Sequence, residues 1–195
     1  MPFEIVSRFE RALCDYTGAP YAVAVSSCTA ALFLCCKYLK VEKVWLPRRT
    51  YVGVPMQVIN AGGSVVFDNG NWRGSYSLVP YAIKDSARRF TSGMYSEGFE
   101  CVSFHPTKIC GAQGGGAILH DDPHADHWFK QARWHGRIEG INPKNQEFFI
   151  CGWEFRMWPL LCQAALMKLS TLPQHNDDLP NDDYPDLSQM AIFKT

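Results

Sequence analysis

A chain of 195 residues, 47% hydrophobic and 13% aromatic, is long and apolar enough for one sizeable core and too apolar for a disordered polymer. Its 19 basic residues balance 19 acidic ones, so no global field draws it to nucleic acid or to an anionic membrane surface. No apolar run approaches bilayer-spanning length, and the opening Met1-Pro-Phe-Glu-Ile-Val6 lacks the basic-then-apolar pattern of a signal peptide.

Ile5, Val6, Phe9, Ala12, Leu13 and Tyr16 recur at helical spacing, and Gly18 supplies a stop. Tyr21–Val25 reads as a short buried strand, Ser26-Ser27-Cys28-Thr29 follows it, and Ala30–Lys40 reads as a helix. Val44–Leu46 is a second strand ended by Pro47; Pro55–Ala61 is a helix closed by Gly62-Gly63; Ser64–Phe67 is a third strand. Asp68–Ser77 is rich in Gly and Asn and reads as a loop, and Leu78–Lys84 is an apolar run leading into Asp85. Cys101–Phe104 and Ala117–His120 are strand-like and flank a loop. Pro123–His135 and Pro159–Leu169 are amphipathic helices, each with proline in its first turn. From Pro173 to Thr195 the pairs Asp177-Asp178 and Asp182-Asp183 and three prolines break any period, so the end of the chain reads as an irregular arm or tail.

Strand-like and helix-like runs alternate, which predicts an α/β fold: a three-layer sandwich around a mainly parallel sheet. The expected organisation is one domain over residues 1–172 followed by the irregular tail, 173–195. Eight scattered cysteines, several in apolar runs as at Cys28, Cys101 and Cys162, suit reduced, buried thiols in a cytoplasmic protein better than a disulfide framework. No Cys-x-x-Cys pair is present. The cluster from His120 to His127 reads as a polar strand-to-helix turn, and no metal site is assigned.

Three segments carry chemistry. Lys108 sits in the loop between two strand-like runs, in Ser103-Phe-His105-Pro-Thr-Lys108, followed by the glycine run Gln113-Gly-Gly-Gly116. Asp85 lies where a strand's carboxyl end is expected, the edge at which α/β sheets bind ligands; the plainer reading is a helix N-cap. Ser26–Leu32 spans a strand-to-helix junction whose free N–H groups and helix dipole suit an anion; the plainer reading is an ordinary capped helix.

Taken together these segments resemble the DegT/DnrJ/EryC1/StrS aminotransferases, sugar aminotransferases of fold type I that use pyridoxal 5′-phosphate. Ser27-Cys28-Thr29-Ala-Ala-Leu32 resembles the family's Ser-Gly-Thr-Ala-Ala-Leu, with Cys28 where Gly is common. Pro47-Arg-Arg-Thr-Tyr51 resembles its Pro-x-x-Thr-aromatic segment, and Asp85-Ser-Ala-Arg88 its Asp-x-Ala-His/Gln segment. Phe9–Gly18 with Tyr21–Ser26 looks like the family's opening helix and strand, and Arg133-Trp-His-Gly-Arg137 like a later segment. Gly152-Trp-Glu154-Phe-Arg156-Met157 resembles Gly-x-Asn-Tyr-Arg-Met, with Glu154 where Asn is usual.

The resemblance implies a role for each matched residue. Lys108 would form the Schiff base with the cofactor and move the proton, and Asp85 would hold the pyridine nitrogen protonated, these two being the catalytic pair. Ser27, Cys28, Thr29 and Ser103 would hold the phosphate, Tyr51 would stack on the ring, and Arg88 would stand near the phenolic oxygen. His105, Glu154 and Arg156 would face the substrate or a dimer interface. The implied reaction is amino transfer from glutamate to a nucleotide-linked keto-sugar; related dehydratases carry histidine in place of the lysine, so Lys108 argues against that branch. The expected architecture is a reduced large domain with the small C-terminal domain absent. A homodimer is expected to cover its open edges through the tail or the Pro159–Leu169 helix. A second reading is a non-catalytic relative that binds pyridoxal phosphate or a sugar nucleotide, or that partners a full-length aminotransferase. The weakest is a plain α/β domain without cofactor.

Overall fold

The computed structural model describes residues 4–181 and 184–194. Helix α1 (Glu4–Thr17) buries Val6, Phe9, Glu10, Leu13 and Thr17, one stripe at helical spacing. It stops at Gly18, whose φ of 80° only glycine adopts without strain, and the Gly18 N–H closes the last turn on the Cys14 carbonyl at 2.9 Å. Strand β1 (Tyr21–Val25) follows and runs straight into α2 (Cys28–Tyr38), which Ser27 caps by accepting the Ala30 N–H at 3.0 Å.

Strand β2 (Lys43–Pro47), helix α3 (Gly53–Asn60) and strand β3 (Ser64–Asp68) form a βαβ unit whose strands pair in parallel. The remaining strands, β4 (Tyr76–Ser77), β5 (Ile83–Asp85), β6 (Phe99–Ser103) and β7 (Gly116–His120), join β1 in a five-stranded sheet of order β1-β7-β6-β5-β4. This sheet is mixed: β5 and β6 are parallel, whereas β1 and β6 run antiparallel to β7 and β4 antiparallel to β5. The physical reason is the connections. Loops without helices join β4 to β5, β5 to β6 and β6 to β7; the first and last reverse the chain, whereas the longer connection over residues 86–98 carries it back to the same edge and leaves β5 and β6 parallel. Trp45 and Val79 exchange backbone hydrogen bonds at 2.8 and 3.1 Å and tie the small sheet to the large one.

Helices cover both faces, giving the three layers expected. Residues alternate between them along each strand, as the pleat requires. Val23, Val25, Cys101 and Ile118 pack towards α2 and α4 (Pro123–Ala132), while Ala22, Ala24, Val102, Ala117 and Leu119 pack towards α1 and α5 (Pro159–Leu169). Helix α4 ends before the expected His135, because Ala132 O is taken by the Trp153 N–H at 2.7 Å and His135 turns to a φ of 53°. Its start is the polar turn expected: Asp122 accepts from the His124 and Ala125 N–H groups at 2.8 and 3.1 Å. Just past α4, the fully buried Arg133 is held by Glu10, by Glu139 at 2.9 Å and by the Ala24 carbonyl at 2.7 Å, joining three elements.

Beyond α5 the chain turns back along the molecule. Asn176 donates to the Tyr16 hydroxyl at 2.9 Å, Asp178 takes Arg89, and Leu187 is fully buried. Two short 3₁₀ turns, Leu187–Gln189 and Ala191–Phe193, are its only regular pieces among the described residues. No helix of the described residues is long and apolar enough to cross a membrane. All eight cysteines are free, with Cys28, Cys35, Cys36, Cys101, Cys110 and Cys162 buried.

Candidate functional site

The directions of the pairs above mean that β1, β5 and β6 run the same way, and their carboxyl ends meet at a cavity of about 450 Å³. Each strand delivers chemistry to it: Ser26–Thr29 follow β1, Asp85 ends β5 and Ser103 ends β6. This is the strand edge at which α/β sheets take ligands. The N-terminus of α2 opens onto the same cavity, and first-turn N–H groups lack intrahelical acceptors. One end of the cavity therefore favours an anion, with the Thr29 and Ser103 hydroxyls beside it.

Gly116 explains part of the glycine run after the lysine. A Cβ there would stand 2.4 Å from the Cys28 nitrogen and 2.5 Å from the Ser27 carbonyl carbon, so only glycine lets β7 press against the start of α2. At Gly53 a Cβ would meet the Tyr51 ring at 2.7 Å, so that ring would have to shift. Tyr51 itself is 52% exposed and presents its ring to the cavity, so the core-packing reading of this tyrosine does not apply.

Asp85 is 5% exposed and lines the same cavity. Its Oδ1 accepts from the Ala87 N–H at 3.0 Å and faces the Cys28 thiol at 3.8 Å; its Oδ2 accepts from the Tyr76 hydroxyl at 3.0 Å. Burial pushes this carboxyl above its ordinary range, while the Ala87 N–H, the Tyr76 hydroxyl and the charge of Lys108 pull back. Burial also drives the Cys28 thiol well up, helped by the Asp85 charge, so Cys28 remains a neutral donor. A buried carboxylate in this state gains most from a cationic N–H partner.

Lys108 lies on the loop between β6 and β7 and lines the cavity. The loop is tight: Lys108 N–H bonds the His105 carbonyl at 2.9 Å, His105 Nδ1 lies 2.9 Å from Thr107 Oγ1, and the Ala112 N–H returns to Phe104 O at 3.1 Å. Arg88 lies across the cavity, its Nε donating to the Tyr184 hydroxyl at 3.1 Å.

Of the residues singled out from sequence, Ser27, Cys28, Thr29, Tyr51, Asp85, Arg88, Ser103, His105 and Lys108 all line this one cavity. Glu154 and Arg156 do not. They form a two-pronged ion pair with each other at 2.7 and 2.8 Å, with His135 3.1 Å from Glu154, and Arg156 stacks on Trp134 at 4.4 Å. The Arg156 pairing holds the Glu154 carboxyl below its usual range. Sequence reasoning missed Tyr76, which falls in the stretch read as loop, and Tyr184, which arrives from the irregular tail. Nothing in the local pattern marks either.

The pattern of the DegT/DnrJ/EryC1/StrS aminotransferase family matches residues 3–94 and 90–178. The UDP-4-amino-4,6-dideoxy-N-acetyl-beta-L-altrosamine transaminase of Campylobacter jejuni is 24% identical over 88% of this chain and 57% of its own length. Among solved structures, a DegT DnrJ EryC1 StrS aminotransferase from Brucella abortus superposes with a TM-score of 0.72 at 18% identity, over 86% of this chain and 58% of that one. NtdA from Bacillus subtilis, solved with bound cofactor PMP, superposes at 0.73 with 19% identity, over 86% of this chain and 48% of that one. The chain thus spans about half the length of the relatives it matches.

Proposed function

This chain belongs to the DegT/DnrJ/EryC1/StrS aminotransferase family, whose members depend on pyridoxal phosphate, and on that premise we propose that it transfers an amino group from glutamate to a nucleotide-linked keto-sugar. The observation that carries the proposal is the convergence of Lys108, buried Asp85 and the N-terminus of α2 on one cavity. The Campylobacter jejuni relative, a transaminase of a UDP-linked sugar by name, supports the substrate class.

The residues present fit the cofactor. Asp85, pushed upward by burial and already holding two hydrogen-bond donors, suits a protonated pyridine nitrogen. The start of α2, with Thr29 and Ser103, suits a phosphate dianion. Tyr51 offers a flat exposed face, and Lys108 an amine on the cavity wall. When bound, pyridoxal phosphate supplies an aldehyde that takes up amines and a ring that withdraws electrons from the neighbouring carbon.

The chain's own residues then divide the work. Lys108 would hold the cofactor and would serve as the base that moves the proton of the donor's α-carbon. Asp85 would keep the ring nitrogen protonated. Thr29, Ser103, Ser27 and the N–H groups around Cys28 fix the phosphate, so the reacting atoms stay within reach of Lys108. Arg88 would serve the phenolic oxygen. His105, beside Lys108 in the wall, is a substrate-facing group, whereas Glu154 and Arg156 belong to the surface that a second copy would meet.

A homodimer is the assembly we infer. Leu160 and Met167, 84% and 63% exposed and seven residues apart, share one face of α5, which a second copy would cover. The free cysteines support a reducing, cytoplasmic setting.

The test is a half-reaction. Purified protein loaded with pyridoxal phosphate is mixed with glutamate, and 2-oxoglutarate is counted per chain. One equivalent, followed by turnover when a UDP-keto-sugar is added, supports the proposal. Cofactor binding with no 2-oxoglutarate favours the non-catalytic reading.

A further inference from the structure

Tyr184 reaches the cavity from beyond the family match, which ends at residue 178. Its ring centroid lies 4.5 Å from the Arg88 guanidinium carbon, and its hydroxyl accepts from Arg88 Nε at 3.1 Å. Trp72 stacks on the same ring at 6.1 Å and 22°, and Trp72 Nε1 is itself fixed on the Arg49 carbonyl at 2.9 Å.

The backbone carrying Tyr184 is pinned on both sides. Before it, Asp178 takes Arg89 through two bonds of 3.0 and 2.6 Å, the Leu179 N–H bonds the Arg88 carbonyl at 2.9 Å, and Arg88 Nη1 donates to the Pro180 carbonyl. After it, Asp186 pairs with Arg48 at 3.3 Å, and the buried Leu187 bonds the Arg48 carbonyl at 2.9 Å. Arg49 donates to the Tyr184 carbonyl at 3.2 Å. The described residues around Tyr184 therefore hold both the Arg88-Arg89 turn and the Arg48-Arg49 turn.

We propose that Tyr184 is a positioning residue of the cofactor cavity, setting the orientation of the Arg88 guanidinium. An arginine at the end of a long, flexible stem contributes little until its plane is fixed. A stacked ring and a hydrogen bond to Nε fix that plane. Arg88 is the residue assigned to the cofactor's phenolic oxygen, so Tyr184 would act on the cofactor through Arg88. The inference rests on the cofactor reading above.

The experiment compares the full chain with Tyr184→Ala and Tyr184→Phe. It records the dissociation constant of pyridoxal phosphate, the pH midpoint of the bound cofactor's visible band, and amide hydrogen exchange at residues 86–90 without cofactor. Tyr184→Ala is expected to weaken cofactor binding about 10-fold, to move the pH midpoint and to speed exchange at least about 10-fold, while Tyr184→Phe, which keeps the stack, stays within about 3-fold. Tyr184→Ala matching the wild type in binding and midpoint overturns the proposal. If the wild type itself takes up no cofactor, the functional reading fails, and hydrogen exchange alone decides: faster exchange supports the positioning role, and unchanged exchange overturns it. Loss of thermal stability in both variants equally would assign Tyr184 to the fold and also overturn it.

Discussion

The Tyr76 hydroxyl donates to Asp85 Oδ2 at 3.0 Å and lies 2.6 Å from Thr50 Oγ1. Tyr76 has one hydrogen to give, so Thr50 is the donor to Tyr76, and a relay runs from the β2–α3 connection through β4 to the buried carboxylate. Tyr76 and Asp85 are also register partners across the β4–β5 pair. The short strand β4 thus exists where it sets the geometry of Asp85.

Removing that relay tests it. In Tyr76→Phe the carboxyl loses a donor that holds its pKa down, so it rises further and grips a protonated pyridine less well. A hydrogen bond to a charged group contributes about 1.5–3 kcal/mol, so kcat should fall roughly 10-fold or more with the fold intact. Steady-state kinetics and a melting curve check this together.

Asp85→Asn should separate stability from function. The folded pKa of Asp85 is raised, so burying its charge costs nothing below the ordinary carboxylate range and costs progressively more as pH rises through the raised value. Cofactor-free Asp85→Asn is therefore predicted to melt above the wild type at neutral pH, with the gap closing as pH falls. On the proposed function its amino transfer should drop at least about 10²-fold, since the group assigned to the ring cation is gone. Melting curves against pH, beside activity, read both.

Gly116→Ala should disable the site through the backbone. The added Cβ meets main-chain atoms at 2.4 and 2.5 Å, which no rotamer change relieves. A loss of about 1–3 kcal/mol or more in denaturant unfolding, with weakened cofactor retention, is expected. Gly140→Ala meets nothing within 4 Å and bears only the strain of its φ of 82°, about 1 kcal/mol, with retention unchanged.

Phe104 begins the lysine loop, is fully buried, and packs edge-on against Phe9 at 5.2 Å and Phe90 at 5.9 Å. Its backbone bonds both Gly115 and Ala112 across the loop. Phe104→Ala should cost about 3–5 kcal/mol in equilibrium unfolding.

What the sequence made legible was what local chemistry encodes. Strand β1 and helix α5 fall where their apolar spacing and Pro159 place them, and Gly18 ends α1 as its position implies. Nine residues assigned to a cofactor or substrate from motif likeness share one cavity wall. Strand direction was not legible, because a helix-free connector such as Phe104–Gly115 carries no signal of the antiparallel return it makes. Tyr76 and Tyr184 were hidden for the same reason: each acts through partners distant in the chain, Thr50 and Arg88, that no local period points to.

The most direct measurement is chemical mapping of Lys108. Protein with added pyridoxal phosphate is reduced with borohydride, digested, and the labelled peptide identified. The account predicts a visible absorbance band, one label per chain on Lys108, and loss of both in Lys108→Ala, with amino transfer down at least about 10²–10⁴-fold. No band and no label, or a label on another lysine that survives Lys108→Ala, would contradict it.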